Sequence, residues 1–100
     1  MYTLVLRDDV FDDIKKAYDW YEEQRSGLGE DFLLSLEASY ATIIRHPNIY
    51  QNIYKQVKRN LIRRFPYGIF YIVDEEVMQV VVIAVLHTRI HPTHWIERTQ

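Results

Sequence analysis

Five cations fall within ten residues, Lys55, Lys58, Arg59, Arg63 and Arg64, with no acid among them. Arginine presents a planar fork of N–H donors that matches a phosphate or carboxylate bidentately, so this stretch has the chemistry of an anion-binding surface. The same pattern suits the solvated face and guarded edge of a β-strand. Strand periodicity places Arg59 and Arg63 on one face and Lys58 and Arg64 on the other, so only part of the cluster can act together.

A second candidate is HTRIHPTHW, residues 87–95. His87, His91 and His94 stand four and three residues apart, a ligand spacing only in a helix. Pro92 interrupts the segment and a strand precedes it, so no metal site is expected. A histidine near its ordinary pKa of about 6.5 can instead move a proton beside arginines that hold a phosphate. His87 and Arg89, two apart at a strand's end, would project on one side. Trp95 reads as a lid on the edge of the core. The acids Asp8, Asp9, Asp12, Asp13, Asp19, Glu22 and Glu23 lie along one helix and read as a solvated face, not as paired catalytic carboxylates. There is no glycine-rich phosphate loop and no serine or cysteine nucleophile motif, so no cofactor is expected.

The elements that must position these residues follow from the totals and the periodicity. One hundred residues imply a single domain, residues 1–100, and 48% hydrophobic with 26% charged residues implies a globular one. The net charge of −2 is divided. Residues 1–40 carry ten acids against four bases, net −6, and residues 41–100 carry eight bases against four acids, net +4. The basic half can meet an anionic partner, yet the whole is not basic enough for strong nonspecific nucleic-acid binding. No apolar run approaches the roughly 18 residues of a membrane span. No basic leader is visible, and with no cysteine present a cytoplasmic location is expected.

Tyr2 to Arg7 reads as a first strand. Asp8 or Asp9 is expected to cap a helix whose stripe, Val10, Ile14, Ala17, Tyr18 and Tyr21, runs to about Arg25. Gly27 ends it. A second helix starts near Leu28 or Gly29 and stops at Arg45-His46, before Pro47. Ile49 to Gln56 shows no clear period. Val57 to Arg64, Tyr67 to Val73 and Val77 to His87 read as three strands, with Asp74-Glu75-Glu76 as a turn. The tail from Thr88 is expected to fold back over the sheet. The order β-α-α-β-β-β predicts an α+β domain of two layers, a helical hairpin on a four-stranded antiparallel sheet with the first strand beside the last.

RRFPYGIFY (residues 63–71), AYDWYEEQRSGLGEDF (residues 17–32), Pro47 and VVVIAVLHTRIHPTHW (residues 80–95) together resemble the RelE/ParE superfamily of toxins from type II toxin–antitoxin systems. The resemblance implies the same two-layer fold with strand order 1-4-3-2, and a cognate antitoxin as partner. RelE-like members are ribosome-dependent endoribonucleases that cut mRNA, and ParE-like members inhibit DNA gyrase. Where RelE has an arginine after the tyrosine of PYGIFY, this chain has Gly68, which cannot stabilise a cleaved phosphate. Arg89 matches a C-terminal arginine of the RelE pattern.

The expected function is therefore that of a ParE-like toxin which binds a target such as gyrase and breaks no bond. Arg59, Arg63, Arg64, His87, Arg89 and Trp95 would face the target. An extended antitoxin segment would lie across the apolar seam at Tyr2, Leu4, Tyr18, Tyr21 and Leu33, with a strand added to an edge. The alternatives are an mRNA endoribonuclease using His87, Arg89 and Arg63, and a degenerate toxin that only binds its antitoxin.

Overall fold

The computed structural model describes residues 1–100. Strand β1 (Thr3–Leu6) leads into helices α1 (Asp8–Gln24) and α2 (Leu28–Arg45). Four strands follow, β2 (Asn52–Tyr54), β3 (Val57–Leu61), β4 (Tyr67–Asp74) and β5 (Gln79–His87). A short helix α3 (Thr93–Ile96) and one 3-10 turn (Glu97–Thr99) close the chain.

The helical hairpin turns where Gly27 takes a left-handed backbone (φ 90). The Glu22 carboxylate reaches over the joint and accepts the N–H groups of Gly27 (3.0 Å) and Gly29 (2.8 Å), satisfying free donors at the start of α2. The cap expected from Asp8 or Asp9 is absent. Arg7 occupies that position with extended backbone and no side-chain cap, so both acids act on α1 only through its dipole. Gly29 lets the two helices touch: a Cβ there would stand 2.7 Å from Glu22 Cγ and 2.8 Å from the Tyr18 ring. Gly29→Ala should therefore cost about 1–3 kcal/mol in urea unfolding, as overpacking does. An unchanged midpoint would mean that the hairpin parts freely.

The sheet has five strands in the order β1-β5-β4-β3-β2 and is not wholly antiparallel. The expected order 1-4-3-2 survives inside it, but β1 runs parallel to β5, from Thr3 opposite Gln79 to Leu6 opposite Val82. Only strands joined by tight hairpins must be antiparallel, and β1 is joined to the sheet through helices. The additional strand, β2, lies in the stretch that showed no period. It folds back on β3 because Lys55 adopts a left-handed conformation (φ 50) in the turn, a conformation that no glycine or asparagine announces. β3 is also shorter than expected. It ends at Leu61, since Arg64 is left-handed (φ 73) and the Ile62 N–H closes onto the Tyr67 carbonyl at 2.9 Å.

Burial on both faces explains the almost wholly apolar β4 and β5. On one face Ile69, Tyr71, Val80, Val82 and Val85 pack beneath Val10, Phe32, Leu36 and Ile43 of the hairpin. On the other, Phe70, Ile83 and Ala84 are covered by Trp95, which brings the tail back over the sheet as expected. The Tyr71 hydroxyl donates to the Pro47 carbonyl at 2.9 Å, tying the end of α2 to the sheet. No helix is long and apolar enough to cross a membrane.

Candidate functional site

Gly68 is less empty than its missing side chain implies. Arg59 lies on the sheet face turned away from the hairpin, because it pairs with Phe70, whose ring belongs to the core under Trp95. A Cβ on Gly68 would stand 3.0 Å from Arg59 Cδ and 3.1 Å from its Cγ, so the glycine makes room for the stem of that arginine. The cation at this point of the surface comes from β3, not from β4.

His87 is on the opposite face. It pairs with Tyr67 across β4 and β5, and the two rings meet at 5.5 Å with 69° between their planes. Its Nδ1 accepts the Arg89 N–H at 3.0 Å. The hollow before it, about 340 Å³, is also lined by Asp13, Lys16, Tyr67, His94 and Arg98. Its cations are already matched, Lys16 to Asp12 at 3.0 Å and Arg98 to Asp13 at 2.6 Å. Burial pushes the Tyr67 phenol above its ordinary pKa, which removes it as a base near neutral pH. Arg89 lies exposed in the turn beyond the strand.

Arg63 and Arg64 form a third place. Neither lies on a strand, so the expected sharing of a face by Arg59 and Arg63 does not occur. Both line a hollow of about 500 Å³ between α2 and β3. Arg64 approaches Asp31 only to 4.0 Å and lies 5.9 Å over the Phe65 ring. Trp95 is 7% exposed, stacked on Phe70 at 4.9 Å, and offers no ring to a target. The residues grouped as target-facing are thus dispersed: His87, Arg63 and Arg59 line three different hollows.

The residues assigned to the apolar seam also separate. Tyr2 and Leu4 flank the end of the sheet that holds the β4–β5 turn, where the Tyr2 hydroxyl donates to Glu75 at 2.6 Å. Tyr21 stands at the far end of β4, its ring 4.9 Å from Phe65 and 6.0 Å from Tyr67. Tyr18 donates to Glu30 at 3.1 Å, and Leu33 is half-buried on α2. Bonds from Tyr2 and then Asn48 hold the Glu75 carboxyl below its ordinary value of 4.5. Its stabilising contribution is therefore complete above pH 4.5 and lost as pH falls through the lower folded-state value. Tyr2→Phe should flatten the acid limb of a plot of melting temperature against pH below the ordinary Glu75 value of 4.5. An unaltered limb would place that pH dependence elsewhere.

One polar pair departs from the expected solvated acid face. Asp13 is 8% exposed and accepts hydrogen bonds from Arg98 Nη1 (2.6 Å), Arg98 Nη2 (3.0 Å) and the Val85 N–H (3.0 Å). The two bonds to the Asp13 carboxylate hold the Arg98 guanidinium above its ordinary pKa. The signal was its spacing, since Asp13 stands three after Val10 and four before Ala17, inside the apolar stripe of α1.

Comparison with known proteins adds to this geometry. Residues 4–92 match the model of the family described as the ParE toxin of type II toxin-antitoxin system, parDE. No curated protein sequence matches the chain. Among solved structures, a chain of the chromosomal ParDE TA system from P. aeruginosa superposes with a TM-score of 0.75 at 12% identity, over 87% of this chain and 96% of that one. A mutant of the E. coli toxin RelE in the free state gives 0.65 at 16% identity, over 99% of this chain and 98% of that one. The isolated E. coli RelE toxin gives 0.59 at 16% identity, over the full length of both chains. At such identities the likeness concerns the fold, which RelE and ParDE chains share.

Proposed function

The chain belongs to the ParE toxin family of type II toxin–antitoxin systems, and from that premise we propose that it inhibits growth by binding a target such as DNA gyrase, without breaking a bond, and that a cognate antitoxin neutralises it. The observation that carries this reading is the separation of His87 from Arg63, its candidate catalytic partner, and from Arg59, the cation beside Gly68. Arg63 lines the hollow between α2 and β3 and Arg59 crosses Gly68 on the outer face, while His87 stands against Tyr67 on the hairpin face. Cleavage of RNA needs a proton-transfer group and a phosphate-holding cation within hydrogen-bond reach of the same phosphate. The sheet stands between His87 and Arg59, and the hollow that Arg63 lines does not include His87. Dispersed cations serve a binding surface well, because steering and orientation need complementary charge rather than convergence.

Arg59, Arg63, Arg64, His87 and Arg89 are the target-facing residues of this reading, Trp95 being buried against Phe70, and Tyr2, Leu4, Tyr18, Tyr21 and Leu33 contribute to the antitoxin seam. The decisive experiment adds the purified chain to a gyrase supercoiling reaction and to programmed ribosomes. The expected result is loss of supercoiling with intact mRNA. Arg59→Glu should weaken that inhibition about tenfold or more, as reversing a charge at an interface does. Cleavage of ribosome-bound mRNA that disappears in His87→Ala would replace binding with catalysis.

A further inference from the structure

We propose that the hollow between α2 and β3 binds a small phosphate monoester whose body carries hydroxyl groups, with Arg63 and Arg64 holding the phosphate and Asn60 a hydroxyl. The site goes beyond the functional reading above, since it needs neither a gyrase nor an antitoxin. The hollow measures about 500 Å³, and small-molecule sites usually measure about 300–1,000 Å³. Ser35, Ser39 and Thr42 line it from α2, Asn60 from β3, and Arg63 and Arg64 from the loop that follows.

Two core positions carry polar side chains here. Asn60 pairs with Ile69, which lies in the core beneath the hairpin, so it shares the hairpin face of β3 with Ile62 of the same core. An aliphatic side chain at that position would join the core. Asn60 is instead 4% exposed, with no hydrogen-bond partner for its Oδ1. An unpaired buried amide is costly, and an occupant that bonds to it relieves the cost. Ser39 repeats the pattern on α2. It stands three residues after Leu36 and four before Ile43, inside the buried stripe of that helix, and is 8% exposed. Both polar residues line the same hollow.

Charge and donor count select the ligand. No acid lines the hollow. Arg63 enters no ion pair, and Arg64 reaches Asp31 only at 4.0 Å, an acid it shares with Arg25. Arg64 also keeps a left-handed backbone (φ 73), a strained conformation of the kind that collects at binding sites. One guanidinium fork fills both oxygens of a carboxylate, whereas the three terminal oxygens of a phosphate monoester accept two forks. A nucleic-acid strand offers diesters, each with one charge and two free oxygens, and matches the arginine pair less well. Behind the arginines, an amide both donates and accepts, as a hydroxyl group does. Thr42 Oγ1 donates to the Ala38 carbonyl at 3.2 Å, which leaves it an acceptor for an occupant. These groups suit a hydroxylated body and reject an apolar one.

The test titrates the 15N-labelled full chain with ribose 5-phosphate, ribose and inorganic phosphate and follows amide and side-chain shifts. The expected result is saturable binding of ribose 5-phosphate, about tenfold or more tighter than either fragment. The shifts should centre on Ser35, Ser39, Asn60 and residues 61–64. Arg63→Ala and Arg64→Asn, two changes at exposed positions, should each weaken binding about tenfold, asparagine being a residue that tolerates the left-handed backbone. Asn60→Leu, shown to be folded by its spectrum, should reduce the affinity to that for inorganic phosphate. Adenosine monophosphate giving the same shifts would support the site with a nucleotide as its ligand, and its rejection would support it with a sugar phosphate. Absence of saturation by about 10 mM, equal affinity for inorganic phosphate, shifts centred elsewhere, or tighter binding of a single-stranded RNA oligomer by the same residues would each overturn the proposal. The titration is made without gyrase, so its failure leaves the functional reading standing.

Discussion

Asp13→Ala is expected to destabilise the fold by about 3 kcal/mol, a large part of the 5–15 kcal/mol that holds a domain together. The carboxylate does three things at once. It accepts the Val85 N–H, it receives both terminal nitrogens of Arg98, and through Arg98 it ties the tail to α1. The location explains the need. The pairing of β5 with β4 shifts register between Tyr71 opposite Val82 and Phe70 opposite Ala84, which leaves Ile83 as an extra residue. Arg98 Nη1 donates to the Ile83 carbonyl at 3.0 Å while Asp13 takes the Val85 amide, so the pair satisfies backbone groups on both sides of the bulge. Removing Asp13 strands a buried N–H and unpairs the guanidinium together.

Arg98→Ala should cost less, about 1–2 kcal/mol, because Asp13 keeps the Val85 bond. Asp13→Asn should fall between the two. Urea unfolding of both single variants and the double variant measures the coupling, and hydrogen exchange at Val85 reads the orphaned amide directly. A loss below about 1 kcal/mol for Asp13→Ala would show that the pair closes the tail without supporting the strand.

Phe32→Ala should cost about 3–5 kcal/mol, the range for truncating a fully buried aromatic ring. Phe32 is 0% exposed. Its ring meets Phe65 edge-on at 5.3 Å, Tyr67 at 5.2 Å and Tyr21 in a stacked arrangement at 5.5 Å. This cluster is where the hairpin grips the loop between β3 and β4. Phe65 is the loop's anchor, and Arg63 and Arg64 precede it directly. The substitution should therefore also speed exchange of the Ile62 amide, which closes the loop, before global unfolding sets in. Leu34→Ala on the same helix, at a site 65% exposed, should change stability by less than about 0.5 kcal/mol. Equal losses at the two positions would contradict this account of the core.

Elements whose residues follow one period were legible without the fold. The stripes of α1 and α2, Gly27 between them and Pro47 after them specify a hairpin by local chemistry, and its bounds match to within a residue or two. The apolar runs of β4 and β5 mark strands buried on both faces, which requires cover from the hairpin and from the tail. The family, too, was legible from short motifs spread along the chain.

What the sequence could not reveal depends on contacts between residues far apart. β1 is parallel because nothing local ties its direction to the meander. β2 and the early end of β3 rest on left-handed conformations at Lys55 and Arg64, which tertiary context stabilises in residues that avoid them by themselves. Gly68 read as a missing cation, and only the diagonal neighbour across the ladder shows that Arg59 fills the space. Asp13 read as one more surface acid until the fold brought Arg98 to it, 85 residues away. Periodicity reports which side of an element faces the core, since burial repeats along the chain. The meeting of two charges or two strand edges repeats nowhere, and the tertiary structure alone decides it.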